Sequence, residues 1–389
     1  MEEYSLLRTQ GEALSPQVIQ WRRALHAIPE LRMDTPMTED YIARQLETLG
    51  AEEICTGVGG HGVTAMIYGV HPGKTLAIRA DCDGLPIREE TGLPFASQNG
   101  NMHACGHDAH TAMALGAAKL LLAHRAQLRG AVKLIFQPFE EGDGGAKAML
   151  ADGVLDGVDA IIGLHNHCTP DADYLAGDVL LTEQAASACI YAYEAVFQGP
   201  GGHVCHSRKL PNPVHMACNA VSRIAAMPEP GPETVNAVTV VQGGTRNNIL
   251  PTSCTVAGSV RSFDPALHEA MRSEVDRILH ECAVDGALTL NTTIDVMGTA
   301  IDPTLLARFR TVVDGLYPQR SWQPLKKRDM IGEDFARFAE KIPGLYFFLH
   351  TKPEETCYPL HHPKFDVNES VLHKGSVLFA AFALNWQDQ

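Results

Sequence analysis

The stretch Thr75–Asp83 reads TLAIRADCD, an apolar run that ends in two aspartates. Two more short apolar runs follow along the chain, Val132–Phe136 (VKLIF) and Ala160–Leu164 (AIIGL). We predict that each run is a buried strand, the first over Thr75–Arg79. Helical patterns lie between and around these runs, and alternation of buried strands with helices predicts an α/β domain with a doubly wound, mostly parallel sheet.

Two helices of this domain have clear start signals. Thr35 and Pro36 predict the start of an amphipathic helix, and Gly50 predicts its end. A longer helix is predicted over Ala109–Leu128, with Asp108 as its N-cap.

Polar side chains follow each of the three predicted strands directly. They are Asp81 and Asp83, then Glu140 and Glu141, and then His165. Open α/β sheets bind ligands at the carboxyl ends of their strands, so we expect these side chains to share one edge of the sheet.

The pattern changes near residue 187, where strands and helices begin to follow a different order. The predicted elements are strand Tyr191–Gln198, helix Pro213–Ala226, strand Val235–Gln242, strand Cys254–Phe263, helix Pro265–Cys282 and strand Leu288–Val296. This order is typical of a ferredoxin-like α+β domain. After residue 300 the α/β pattern returns, with a strand over Gly344–Leu349 and a helix near Ser370–Leu384. We therefore predict one domain made of residues 1–186 and 300–389, with residues 187–299 inserted in it.

The composition excludes some classes of partner. A formal net charge of −15 and the lack of a Lys/Arg cluster argue against nucleic acid and anionic membranes. The N-terminal stretch is polar and acidic, unlike a signal peptide, and no apolar run is long enough to span a bilayer. We expect a cytoplasmic protein whose ten scattered cysteines are mostly reduced.

Four groups of residues carry the types of side chain that bind metals. The densest is HACGHDAH at 103–110, where a glycine between Cys105 and His107 allows a tight turn. Taken alone, this stretch is equally well explained as a polar helix start with a buried cysteine. The Glu140–Glu141 pair, His165 and the His361–His362 pair are weaker signals, but in the adjacent glutamates one carboxylate can ligate while the other transfers a proton.

These groups belong to a longer series of motifs that runs through nearly the whole chain: RADCDGLPI (79–87), HACGHD (103–108), QPFEEG (137–142), GLH (163–165), GGH (201–203), NILP (248–251), GEDF (332–335) and LHHP (360–363). In this order they resemble the hippurate hydrolase and auxin-conjugate (IAA-amino acid) amidohydrolase branch of the metallo-aminoacylase/carboxypeptidase superfamily. The resemblance implies hydrolysis of the amide bond of an N-acyl amino acid, in a homodimer formed through the inserted domain, which also acts as a lid.

The resemblance also implies roles for individual residues. Two divalent metal ions (Mn, Zn, Co or Ni) would be held by five ligands, with Cys105 bridging: Cys105, His107, Glu141, His165 and His361. Glu140 would be the general acid/base, Asp83 would orient a ligand, and His203 and Asn248 would contact the substrate. His362 is the alternative to His361, although the family pattern Leu-His-X-Pro favours the first histidine.

The sequence departs from this family mainly near the expected substrate. Arg208 stands where a histidine is usual, either to meet a substrate carboxylate or as a surface residue, and Asn166-His167-Cys168 replaces a commonly aromatic stretch. Three other functions are consistent with the residues. They are a dipeptidase or carboxypeptidase with the same metal site, a thiol hydrolase with Cys105 as nucleophile and His107 as base, and a non-catalytic binding relative.

Overall fold

The computed structural model describes residues 2–142, 144–169, 173–228, 230–283 and 286–387. The chain divides into two compact units. The first unit consists of the residues up to Ala186, Ala300–Lys327 and the residues from Asp334 onward, and the second consists of Ser187–Thr299 and Arg328–Glu333.

The strands and helices are numbered in chain order. The strands are β1 (Glu52–Val58), β2 (Gly62–Tyr68), β3 (His71–Asp81), β4 (Arg129–Gln137), β5 (Ala160–His167), β6 (Val179–Leu181), β7 (Cys189–Gln198), β8 (Gly202–His203), β9 (Thr234–Gly243), β10 (Ile249–Leu250), β11 (Ser253–Ser262), β12 (Ala287–Val296), β13 (Gln323–Pro324) and β14 (Gly344–His350). The α-helices are α1 (Glu2–His26), α2 (Pro36–Leu49), α3 (His107–Ala123), α4 (Gly145–Ala151), α5 (Pro213–Ala225), α6 (Pro265–Cys282), α7 (Pro303–Leu316), α8 (Ala336–Ala339) and α9 (Leu372–Asn385).

The first unit is built on a mixed sheet with the strand order β1-β2-β4-β3-β5-β14-β6-β13. Its four central strands, β4, β3, β5 and β14, are parallel, so their carboxyl ends meet at one edge. Toward the outside of the sheet, β2 runs antiparallel to β4 and β6 runs antiparallel to β14. The predicted α/β fold with a mostly parallel central sheet is confirmed.

Helices cover both faces of this sheet. Successive residues of a strand point to opposite faces, and Ile78 and Ile162 pack in the larger core cluster while Ala77 and Ile161 pack in a separate one. Helices α1, α3, α7 and α9 contribute to the first cluster, and α4 and α8 to the second. Helices α3 and α9 approach closely, since a Cβ atom on Gly116 would lie 2.2 Å from Ser376 Oγ.

The start signals predicted one helix well and the other imperfectly. Helix α2 begins at Pro36, and Gly50 ends it in the left-handed region with φ 86°. Helix α3 begins at His107 instead of Ala109, ends at Ala123 instead of Leu128, and is not capped by Asp108. Asp108 lies in the first turn, where its carboxylate binds two buried side chains of α1, Arg22 at 2.8 Å and His26 at 2.7 Å. This tertiary contact explains why the predicted cap was wrong.

The second unit contains a four-stranded antiparallel sheet of order β12-β7-β11-β9. Its elements follow the chain as strand, helix, strand, strand, helix, strand, which is the split βαβ arrangement. Helices α5 and α6 pack on a core that includes Tyr193 and Val256. The segment Arg328–Glu333 also belongs here, because the N–H of Ala188 donates to the carbonyl of Ile331 at 2.9 Å.

In the described part of the chain, none of the helices combines the length and the hydropathy that a membrane span requires.

Candidate metal centre

Cys105 and His165 are brought together at the carboxyl edge of the central sheet. Cys105 lies in the turn before α3, and Gly106 follows with φ 90°, a left-handed conformation that favours glycine. A Cβ atom on Gly106 would lie 2.1 Å from Asn166 Oδ1, so a larger residue would separate this turn from β5. His165 Nδ1 donates to the carbonyl of Asn166 at 2.7 Å, and its Nε2 lies 3.4 Å from Cys105 Sγ.

His107 faces the two glutamates that follow β4. Its Nδ1 lies 3.3 Å from Asp83 Oδ1, and its Nε2 lies 3.9 Å from Glu141 Oε1 and 4.0 Å from Glu140 Oε2. The ring is fully buried, yet among the described residues its Nε2 has no hydrogen-bond partner. Burying a polar atom without a hydrogen-bond partner costs free energy, so this nitrogen indicates that a metal ion or another group binds there.

The loop before α9 supplies His361. Its Nε2 lies 3.1 Å from Glu141 Oε1, and its N–H donates to the carbonyl of Ala104 at 2.8 Å. His361 has φ 63°, and Phe139 beside the glutamates has φ 55°. Left-handed backbone at residues other than glycine is strained and tends to occur at functional sites. His362, the alternative, stacks on Tyr358 with ring centroids 4.6 Å apart.

The side chains of the site form overlapping groups. Within each group, the atoms that could bind a metal ion lie within 4.8 Å of one another. Three such groups consist of predicted site residues: Cys105/His107/His165, Cys105/Glu141/His361 and His107/Glu140/Glu141. Cys105 is shared by the first two, as expected of a bridging position. Thiolate, imidazole and carboxylate together suit divalent transition metals such as zinc. The residues therefore fit a site for two divalent cations.

The electrostatics of the site also favour cations. Burial raises the pKa of the Cys105 thiol well above its ordinary range, and the charges of Glu141 and Glu140 raise it further. Burial alone would lower the pKa of His107, but the charges of Asp81, Asp83 and Glu141 outweigh it and raise the pKa to about 10. Both groups thus retain protons in the ion-free site, and divalent cations would displace those protons.

Asp83 supports the glutamate turn from a buried position. Its carboxylate accepts the N–H of Glu140 at 3.0 Å and that of Glu141 at 3.3 Å, in addition to the contact with His107. One side chain thus positions a ring and two backbone amides of the cluster.

We predict that Asp83→Ala weakens divalent-cation binding by about 10- to 100-fold, the usual cost of losing a group that orients ligands. The exposed Asp34 gives a matched control, Asp34→Ala. Calorimetric titration of the two variants with Zn²⁺ or Mn²⁺ measures the difference. Equal affinities would show that Asp83 does not orient the metal ligands.

A second layer of buried residues was not assigned a role from the sequence. Asp81 accepts from Arg79 Nη1 at 2.8 Å and pairs with His110 Nδ1 at 2.6 Å. His110 Nε2 in turn accepts the N–H of Asn166 at 3.0 Å, next to His165. His110 lies in the HACGHDAH motif, three residues after His107, so helical spacing was the available signal.

The predicted substrate contacts lie in the second unit. His203 ends β8, and its Nδ1 accepts the N–H of Cys205 at 3.3 Å. β8 pairs with β10, and the N–H of Val204 donates to the carbonyl of Asn248 at 3.1 Å. Arg208 is exposed in the turn that follows.

Known proteins resemble this chain over nearly its full length. Thermostable carboxypeptidase 1 of Saccharolobus solfataricus is 34% identical over the whole of both chains. N-acetylcysteine deacetylase of Bacillus subtilis is 34% identical over 96% of this chain and 97% of that protein. IAA-amino acid hydrolase ILR1-like 2 of Arabidopsis thaliana is 33% identical over 96% of this chain and 87% of that protein.

Solved structures agree with this similarity. A putative aminohydrolase from methicillin resistant Staphylococcus aureus superposes with a TM-score of 0.88 at 30% identity, covering all of both chains. The Bacillus subtilis YXEP protein, described as a dinuclear metal binding peptidase from the M20 family, has a TM-score of 0.80 at 34% identity, covering 96% of this chain and 98% of that one. The sequence profile of peptidase family M20/M25/M40 matches residues 77–385. The chain therefore belongs to peptidase family M20/M25/M40, as a metal-dependent hydrolase.

Proposed function

We propose that this hydrolase cleaves the amide bond of N-acyl amino acids, with a hippurate-like, indolylacyl or N-acetyl group as the acyl part. The observation that carries the proposal is the convergence of one thiol, three imidazoles and two carboxylates at the carboxyl edge of the sheet. Relatives of similar identity are named as an N-acetylcysteine deacetylase and an IAA-amino acid hydrolase, which supports acylated amino acids as the substrate class.

Within this proposal, five residues hold two divalent ions: Cys105, His107, Glu141, His165 and His361. Cations held there would supply Lewis-acid chemistry, which polarises the scissile carbonyl and makes a water molecule more acidic. Glu140 receives the proton of the attacking water and delivers it to the amine nitrogen as the C–N bond breaks. Asp83 accepts the backbone N–H of Glu140 at 3.0 Å and so keeps the Glu140 carboxylate beside His107. Mn, Zn, Co and Ni are all suitable ions for this ligand set.

The inserted unit is proposed as a lid and as the surface through which a homodimer forms, with His203 and Asn248 as substrate contacts. Strand β9 supports the dimer, because it is an edge strand of the four-stranded sheet and its residues Val240 and Val241 are 41% and 52% exposed. An exposed apolar edge favours pairing with another strand. Light scattering of the purified protein tests this directly, with twice the 42.2 kDa chain mass expected.

A carboxypeptidase is the second candidate, favoured by the 34% identity to thermostable carboxypeptidase 1. A substrate panel separates the two candidates. It compares hippurate, N-acetyl amino acids and indolylacyl amino acids with free-amine dipeptides and with longer peptides from which a carboxypeptidase would release the C-terminal residue. We expect kcat/KM at least about tenfold higher for the N-acyl amino acids, since a free ammonium would be desolvated without a partner. Higher values for the peptides would establish the second candidate instead.

The thiol hydrolase hypothesis makes the opposite prediction about metal removal. Cys105 Sγ lies 3.4 Å from His165 Nε2, and His165 is not the base that this hypothesis postulates. Burial also raises the pKa of the thiol, which makes it a poor nucleophile. Dialysis against a chelator should abolish hydrolysis, and Mn²⁺ or Zn²⁺ should restore it. Activity that survives complete metal removal, checked by elemental analysis, would favour the thiol mechanism.

A further inference from the structure

Two thiols outside the proposed ligand set lie between two segments that supply metal ligands. Cys168 follows β5, three residues after His165, and Cys357 lies in the loop before α9, four residues before His361. Their Sγ atoms are 3.0 Å apart, a short distance for two sulfur atoms that share no bond. The pair therefore lies where the end of strand β5 contacts the loop that carries His361.

We propose that Cys168 and Cys357 form a reversible disulfide, and that this bond slows hydrolysis by displacing His361. The displacement follows from geometry. A disulfide requires an S–S distance of about 2.05 Å, so the two sulfur atoms, which lie 3.0 Å apart, must approach by about 1 Å. Cys168 directly follows the central strand β5, whereas Cys357 lies in an irregular loop, so the loop is expected to move.

His361 is sensitive to such a shift. Its side chain is 49% exposed, and the contacts that hold it are the backbone bond to Ala104 and the approach of its ring to Glu141. A misplacement of about 1 Å in a catalytic site can cost up to about 10²-fold in rate. We expect the oxidised enzyme to be at least about tenfold slower.

The oxidant proposed is hydrogen peroxide, which accepts the two electrons that the two thiols lose when the S–S bond forms. The sulfur of Cys357, which is partly exposed, attacks the peroxide O–O bond and becomes a sulfenic acid, with one water released. The sulfur of Cys168, which is buried at 6% exposure, then attacks the sulfenic sulfur and releases the second water. Two thiols are oxidised and one peroxide is reduced, and a dithiol reverses the reaction by exchange.

The test uses the metal-loaded enzyme treated with hydrogen peroxide and then with an alkylating agent. Proteolysis without reductant, followed by mass spectrometry, should reveal a linked peptide containing Cys168 and Cys357. Two fewer free thiols per chain, a rate at least about tenfold lower and full recovery with dithiothreitol are expected together. Absence of the linked peptide overturns the proposal, and a linked enzyme with an unchanged rate overturns its regulatory part.

Variants assign the effect to this pair. Cys357→Ser and Cys168→Ala should each keep the untreated rate and resist peroxide, whereas Cys205→Ser, which removes an exposed thiol of the second unit, should respond as the parent does. Equal inhibition of Cys357→Ser and the parent would place the oxidised group elsewhere, for instance at Cys105. The rate measurement rests on the proposed role of His361, but the linked peptide and the thiol count do not, so the two proposals can fail separately.

Discussion

Glu140→Gln is expected to reduce kcat by about 10²- to 10⁴-fold, the range that a positioned general acid/base contributes, while both metal ions remain bound. Glutamine has nearly the same shape as glutamate and keeps the backbone N–H that Asp83 accepts at 3.0 Å. It cannot accept the proton of the attacking water, so proton transfer fails while the fold and the ligands are preserved.

The measurement is kcat together with metal content by elemental analysis. Glu340→Gln makes the same chemical change at an exposed position and should leave kcat unaltered. A Glu140→Gln enzyme with a nearly normal rate would remove Glu140 from the mechanism. A large loss of metal in this variant would instead make Glu140 a ligand.

Cys105→Ala is expected to reduce the metal content below two ions per chain and to reduce kcat/KM by at least about 10²-fold, since it removes a ligand itself rather than a group that orients one. Cys105 belongs both to the group with His107 and His165 and to the group with Glu141 and His361. Loss of its sulfur therefore affects both cation positions.

Elemental analysis of the purified variant gives the stoichiometry, and Cys218→Ala, which removes an exposed thiol, is the matched control. Cys105 is also buried, so its replacement changes the packing around it. Circular dichroism is therefore recorded to establish that the variant is folded. A folded Cys105→Ala protein that retains two ions would contradict the assignment of this thiol as a ligand.

The sequence was informative where the candidate site residues directly follow a strand. The central strands were predicted from short apolar runs, and parallel strands necessarily bring the residues that follow them to one edge. This is why Glu141 and His165, 24 positions apart in the sequence, could be expected to lie near each other. The strands of the four-stranded sheet in the second unit and the helices α5 and α6 were also predicted to within a few residues, because their hydrophobic patterns are long.

The sequence was less informative where a contact joins distant segments. Aspartate is a common N-cap residue, which is why Asp108 was predicted as one. Its carboxylate instead binds Arg22 and His26, more than 80 positions earlier in the sequence. The contact between Cys168 and Cys357 spans 189 positions and has no local signal. Likewise, the segment Arg328–Glu333 lies in a stretch predicted for the first domain, yet it belongs to the second unit, where the N–H of Ala188 donates to the carbonyl of Ile331.

The central claim is that Cys105, His107, Glu141, His165 and His361 together bind two divalent cations. The most direct test is anomalous diffraction from crystals of the metal-loaded protein, recorded at the absorption edge of the added metal. We predict two peaks, with Cys105 Sγ within about 2.3 Å of both and with imidazole nitrogens at about 2.0–2.1 Å. A single peak, or peaks that lack these five side chains as neighbours, would contradict the claim.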